Sequence, residues 1–184
     1  MSPADIKEQK PTADQRMIDI IQAASPEQLD RVRGLMRAFV EWHRKRHLAD
    51  IALIDRYFDP AEFERELATL PGKYAPPKGR LLLALDAGQA AGCVALRDLG
   101  DGICEMKRMF VYAHLHGHGI GRALAERVVA EAKVAGYDRM RLDTSVGQAE
   151  AIGLYKSAGF RPIAPYYSLP DDIAGWLVFM ELSL

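Results

Sequence analysis

The stretch His116-Gly117-His118-Gly119-Ile120-Gly121-Arg122 sets three glycines at alternate positions, where an apolar strand gives way to an amphipathic helix. Glycine lets the backbone approach a ligand with no Cβ in the way. A helix starting there offers unpaired N–H groups and the positive end of its dipole, a site suited to phosphate. Arg122, and His116 and His118 when protonated, add positive charge. Together these residues read as a pyrophosphate cradle. Two other phosphate loops do not fit. A Walker loop needs Gly-Lys and then Ser or Thr, whereas Gly121 precedes Arg122-Ala123. A dinucleotide fingerprint from Gly119 would need a glycine at Leu124.

Other side chains could also do chemistry. Glu105 lies between Cys104 and Met106 on the strand entering the loop, where a carboxylate is costly unless it is paired or functional. A salt bridge to Lys107, Arg108 or Arg97 is one reading and proton transfer is the other. Asp143 and Thr144 end a later strand, where they either orient water or substrate or close a turn. His114, His116 and His118 alternate, and His43 and His47 stand four apart, a spacing that can place two metal ligands on one helical face. Gly117 and Gly119 make the loop too irregular to aim three rings at one ion. No Asp or Glu follows at a familiar ligand spacing. No metal is therefore expected, and a His-ligated metal hydrolase is the more remote alternative.

These residues need a scaffold. Residues 1–14 read as a flexible leader and residues 15–184 as one domain. Met17 to Ile21 is predicted as a first strand. Ser25-Pro26-Glu27-Gln28 has the form of a helix start, with Ser as N-cap and Pro at the first helical position, and that helix is expected to run to about His43. Asp59-Pro60-Ala61-Glu62 repeats the capping logic for a helix through Leu67. Between them Leu48 to Phe58 is ambiguous. Leu81–Leu85, Ala90–Leu96 and Ile103–Tyr112 read as a three-strand meander, turned by Asp86–Gln89 and by Asp98–Gly102. A helix over Gly119–Ala135, a strand over Arg139–Thr144 and a short helix from about Gln148 to Ala158 follow. Two closing strands, Phe160–Ile163 and Trp176–Leu182, flank Pro165-Tyr166-Tyr167 and an acidic loop. The order predicts an α/β fold: a single-domain mixed, mostly antiparallel sheet flanked by helices, with a crossover helix between parallel neighbours.

Composition narrows the class. The 184 residues are 49% hydrophobic, enough for one buried domain. Twenty-four basic and twenty-five acidic side chains give a net charge of -1. No general electrostatic footprint for nucleic acid is present, so anion recognition must be local. Cys93 and Cys104 make no disulfide framework and are expected as buried thiols. The polar start carries no secretory hydrophobic region, and no apolar run reaches the length of a membrane span. A cytoplasmic protein that binds neither nucleic acid nor membrane is expected.

Two spaced motifs resemble the GNAT superfamily of acyl-CoA-dependent N-acetyltransferases. His116-Gly117-His118-Gly119-Ile120-Gly121 is similar to [Gln/Arg]-x-x-Gly-x-[Gly/Ala]. Gln148-Ala149-Glu150-Ala151-Ile152-Gly153-Leu154-Tyr155-Lys156-Ser157-Ala158-Gly159-Phe160 is similar to Asn-x-x-Ala-x-x-x-Tyr-x-x-x-Gly-Phe. His116 and Gln148 depart from the usual residues. The likeness spans about Met17 to Leu184 and implies a GNAT-like acyl-CoA N-acyltransferase fold with acetyl-CoA as co-substrate and no metal. It implies that His116, Gly117, His118, Gly119, Ile120, Gly121 and Arg122 hold the coenzyme. It also implies that the main chain of Met109, Phe110 and Val111 aligns pantetheine and polarises the thioester carbonyl. Tyr155 would lie beside the sulfur and protonate it, and Glu105 would be the base, acting through water. The implied reaction is direct attack, in a ternary complex, by a primary amine of a small molecule or peptide. Trp42, His43 and Tyr57 lie in the region that covers the acceptor pocket in this superfamily, and each reads first as packing. Tyr166 and Tyr167 could line that pocket. A homodimer stays open, and a non-catalytic acyl-CoA-binding module is the alternative.

Overall fold

The computed structural model describes residues 18–184. The leader expected over residues 1–14, and Met17 of the first strand, lie outside them. Strand β1 (Ile18–Gln22) leads into helix α1 (Pro26–Arg46) through the capping box read from the sequence. Ser25 Oγ accepts from Gln28 N at 3.2 Å, and Gln28 Oε1 accepts from Ser25 N at 3.0 Å. The helix outruns its expected end near His43, because Arg44, Lys45 and Arg46 place favourable positive charge at its C-terminal dipole.

The ambiguous stretch from Leu48 to Phe58 resolves into a turn of 3₁₀ helix (Leu48–Asp50) and helix α2 (Ile51–Tyr57). Asp59 Oδ1 then caps α3 (Pro60–Ala68) by accepting from Glu62 N at 2.9 Å. Strands β2 (Arg80–Asp86), β3 (Gln89–Gly100) and β4 (Ile103–Val111) form the expected meander. The second hairpin is tighter than expected. Asp101 and Gly102 both have positive φ, 51° and 72°, the two-residue turn whose twist matches the strands, so β3 extends to Gly100.

Helix α4 (Ile120–Val134) crosses over to β5 (Arg139–Ser145), and α5 (Ala149–Ser157) leads to β6 (Arg161–Ile163). The acidic loop expected next contains a short helix, α6 (Asp171–Trp176), before β7 (Leu177–Ser183). Asp171 and Asp172 lie in its first turn, where the dipole favours negative charge, and Ile173 and Trp176 are buried at helical spacing. The strand order is β1-β2-β3-β4-β5-β7-β6, and among the described residues only β4 and β5 run parallel. Mixed, mostly antiparallel and flanked by helices, the sheet is the architecture the element order implied.

Alternation along the strands divides the core in two. Leu81, Leu83, Cys93 and Phe110 face α1, α2 and α3. Leu82, Ala84, Cys104 and Met140 face α4 and α5. Cys93 and Cys104 are free thiols on opposite faces, each pushed up to about 12 by burial.

One irregularity opens the sheet. Arg108 has φ 57°, and with Met109 it occupies the space opposite Val94, between the pairs Ala95–Lys107 and Cys93–Phe110. This β-bulge bends β4 away from β5. Parallel pairing stops at Glu105–Arg141, although β5 goes on pairing with β7 as far as Ser145–Leu177.

Candidate active site

A cavity of about 410 Å³ fills the opening between β4 and β5. Its far end is the glycine loop. Gly117 and Gly119 have φ 82° and 79°, a left-handed conformation that only glycine adopts freely. Gly119 is also the N-cap of α4 and caps it with no side chain, so the first-turn amides keep their donors for a ligand. Gly121 is different: its φ is ordinary, and a Cβ there would meet Leu154 Cδ2 at 3.6 Å, an unstrained contact.

Most of the residues expected at the site meet in this cavity. Met109, Phe110, Val111, His116, Gly117, Gly119, Ile120, Gly121, Arg122 and Tyr155 all line it. His118 does not; its Nδ1 lies 3.1 Å from Leu115 O, folded onto the loop. His116 Nε2 donates to Val111 O at 3.0 Å, which fixes the ring tautomer and ties the loop to the end of β4. Tyr155 is buried on α5 against Phe160. Burial, and then the charge of Asp143, raise its pKa, so the hydroxyl keeps its proton at neutral pH.

Glu105 is fully buried and stands behind the cavity wall. Its Oε2 accepts from Arg97 Nε, its register partner on β3, and its Oε1 accepts from Tyr166 Oη at 2.6 Å. Lys107 Nζ is 3.8 Å from Oε1. Of the salt bridges weighed for Glu105, those to Arg97 and Lys107 form, while Arg108 turns to Glu66.

A polar cluster spans the opened strands. Lys107 Nζ donates to Asp143 Oδ1 at 2.7 Å and to Tyr57 Oη at 2.9 Å, joining β4 to β5 and α2. Asp143 Oδ2 accepts from Tyr57 and Tyr167. Burial pulls the Asp143 carboxyl upward, but Lys107 and these hydrogen bonds outweigh it and hold its pKa below the usual value. Burial opposes the Lys107 charge, yet Asp143 and Glu105 keep its pKa raised. Tyr57 and Tyr167 thus hold polar contacts as well as packing. In the sequence Lys107 stood out only as a partner for Glu105. The usable signal was a lysine two residues after that carboxylate, on the same strand face.

The helical cover is aromatic. Phe39, Trp42, Phe58 and Trp176 line the cavity with Tyr57, and Arg46 stacks on Trp42 while reaching Glu150 of α5 at 2.6 Å. His43 is buried and hydrogen-bonded to Gln148. Burial, then the neighbouring His47, lower its pKa to about 4. His114 stacks on Tyr112, so the alternating histidines point to separate partners. Among the described residues no group of three His, Cys, Asp or Glu side chains is placed to share a metal ion. No helix among them is long and apolar enough to cross a membrane.

The family model described as Acetyltransferase (GNAT) family matches residues 38–160. An uncharacterised N-acetyltransferase of Schizosaccharomyces pombe is 42% identical over 121 residues, covering 65% of this chain and 72% of that protein. The IAA acetyltransferase of Azospirillum brasilense is 40% identical over 140 residues, covering 71% of this chain and 86% of that protein. The PaiA N-acetyltransferase of Thermoplasma acidophilum, solved in complex with coenzyme A, aligns with a TM-score of 0.68 at 16% identity. That alignment covers 91% of this chain and 99% of that one, a likeness of fold.

Proposed function

The chain belongs to the GNAT acetyltransferase family, and on that premise we propose that it moves an acetyl group from acetyl-CoA to an amine by direct attack in a ternary complex. The observation that carries this reading is the cavity that joins the uncapped start of α4 to Tyr155 and on to the aromatic acceptor side. The left-handed Gly117 and Gly119 fit a diphosphate, since a chain without Cβ atoms presents its amides directly. When bound, acetyl-CoA supplies the activated acetyl group.

The chain's own residues do the rest. Main-chain groups of Met109, Phe110 and Val111, released from β5 by the bulge, align the pantetheine arm. One of their N–H groups polarises the thioester carbonyl. Transfer forms a nitrogen–carbon bond and breaks the carbon–sulfur bond. The sulfur keeps the electron pair and takes a proton from Tyr155, which regains one from solvent. The amine's proton leaves to water. Glu105, expected as the base acting through water, is assigned instead the role of holding Arg97, Tyr166 and Lys107 in place, a reading supported by its full burial and by the engagement of both its oxygens. The acceptor is a small-molecule or peptide amine.

Calorimetry with coenzyme A, paired with thiol release from acetyl-CoA across an amine panel, tests the reading. Binding together with amine-dependent thiol release supports it. Binding with no thiol release on any amine would favour a non-catalytic coenzyme-binding module.

A further inference from the structure

Three ion pairs stand beside the acceptor half of the cavity: Arg97 with Glu105, Lys107 with Asp143, and Arg108 with Glu66. They are not oriented at random. The carboxylates of Glu105 and Asp143 are sealed, both side chains being 0% exposed, and Glu66 is outside the lining. Lys107 and Arg108 do line it. The Lys107 side chain retains 13% exposure. The Lys107–Asp143 pair therefore leaves its cation, and not its carboxylate, partly exposed, and Arg108 is the member of its pair that borders the cavity. The wall is close to neutral in sum but positive in the field it presents.

Lys107 also has a donor to spare. An ammonium carries three N–H groups. Two go to Asp143 and Tyr57, and the other carboxylate beside it, Glu105 Oε1, lies 3.8 Å away, beyond hydrogen-bond range. A largely buried N–H without a partner costs free energy that a ligand oxygen would return. A dicationic acceptor such as a polyamine meets no accessible carboxylate beside Lys107 and Arg108. Glu150, the exposed acidic side chain of the lining, is paired with Arg46.

We propose that the acceptor is a free α-amino acid, whose carboxylate takes the third N–H of Lys107 and so sets the neighbouring amine toward Tyr155. This deepens the acetyl-transfer reading and rests on it. The positive wall also disfavours the ammonium form of the bound amine, leaving the nitrogen lone pair available for attack. Phe39, Trp42, Phe58 and Trp176 supply an apolar surface for the acceptor's side chain.

The test compares matched triplets, each a free amino acid, its amide and its decarboxylated amine, by thiol release from acetyl-CoA. Phenylalanine, phenylalaninamide and phenethylamine form one such set. The free acid should exceed both analogues that lack the carboxylate in kcat/KM by about tenfold to a hundredfold, the range of one charge-assisted hydrogen bond. Lys107→Met should shrink that ratio toward one, and Lys107→Arg should restore most of it. The wild-type ratio needs no variant, so the test survives if Lys107→Met does not fold. Amides or amines that match the acids would overturn the proposal. So would acetyl-CoA binding with no amino acid turned over, an outcome that leaves the coenzyme reading standing. Absence of acetyl-CoA binding would remove both.

Discussion

Arg108 and Glu66 face each other through two parallel hydrogen bonds, Nε to Oε1 at 2.8 Å and Nη2 to Oε2 at 3.0 Å. The arginine backbone is in the left-handed region, φ 57°, a conformation that costs a side-chain-bearing residue roughly 1–2 kcal/mol. The planar fork matches the carboxylate, and the guanidinium stacks over Phe58 and Phe63 at 5.2 and 5.5 Å. Helix α3 thereby holds the bulge that separates β4 from β5.

Acid should weaken that hold in a defined window. Burial alone would raise the Glu66 carboxyl, but Arg108 and then Lys73 bring its pKa down from 4.5 to about 2. The folded value lies below the unfolded one, so the contribution is complete above pH 4.5 and disappears as the pH falls toward 2. Its size is about 3 kcal/mol. Urea unfolding followed by circular dichroism should show this slope in the wild type and lose it in Glu66→Gln. Removing one partner of a buried pair should also lower stability at neutral pH by about 3–5 kcal/mol. Equal slopes in the two proteins would refute the assignment.

Gly119 and Gly121 should answer alanine differently. At Gly119 nothing lies within 4 Å of the point where a Cβ would stand, so the cost is conformational, about 1–2 kcal/mol for φ 79°. Relaxing that strain would rotate the first amides of α4, and coenzyme A affinity measured by calorimetry should fall by about tenfold. At Gly121 a Cβ meets Leu154 and Val111 at ordinary distances, so Gly121→Ala should fold normally and keep most of its affinity. Equal losses from both variants would show that the left-handed turn is not what presents the amides.

Local chemistry was readable in the sequence, and distant pairing was not. The Ser25 and Asp59 caps, the glycine loop and the crossover helix depend on neighbouring residues, so the chain announces them. Lys107 and Asp143 are 36 positions apart, and their meeting depends on a bulge at an arginine, a residue with no turn signature. Tyr166 and Tyr167 cross to Glu105 and Asp143 from the segment before α6. That helix was hidden because two first-turn aspartates look like loop composition. Glu105 was noticed as a costly buried charge with Lys107, Arg108 or Arg97 as its partner, and the fold selects Arg97, its register partner, with Lys107 nearby.

Tyr155→Phe removes one oxygen from a buried ring and keeps its packing on Phe160. The fold and coenzyme A affinity should be unchanged. If this hydroxyl protonates the departing sulfur, kcat should fall on the order of a hundredfold or more. Burial and the Asp143 charge keep the hydroxyl protonated at neutral pH, so the wild-type rate should show no loss of this acid until well into the alkaline range. Retained kcat in the phenylalanine variant would assign Tyr155 to packing alone.

His43 makes the cover of the cavity acid-sensitive. It lies 3% exposed between Phe39, Phe58 and His47, and it links α1 to Gln148 at the start of α5. Burial and then the neighbouring His47 lower its pKa from 6.5 to about 4, so it is neutral when folded. A folded value below the unfolded one means full stability above pH 6.5 and progressive loss as the pH falls toward 4. The loss amounts to about 3 kcal/mol. This window lies above that of Glu66, so the first acid-induced weakening belongs to the helical cover. Histidine proton resonances followed through a pH titration should place His43 far below the ordinary value, and His43→Phe should flatten the stability slope between pH 6.5 and 4. A ring that titrates near 6.5 in the folded protein would mean that water reaches it and that the cover is looser than its packing indicates.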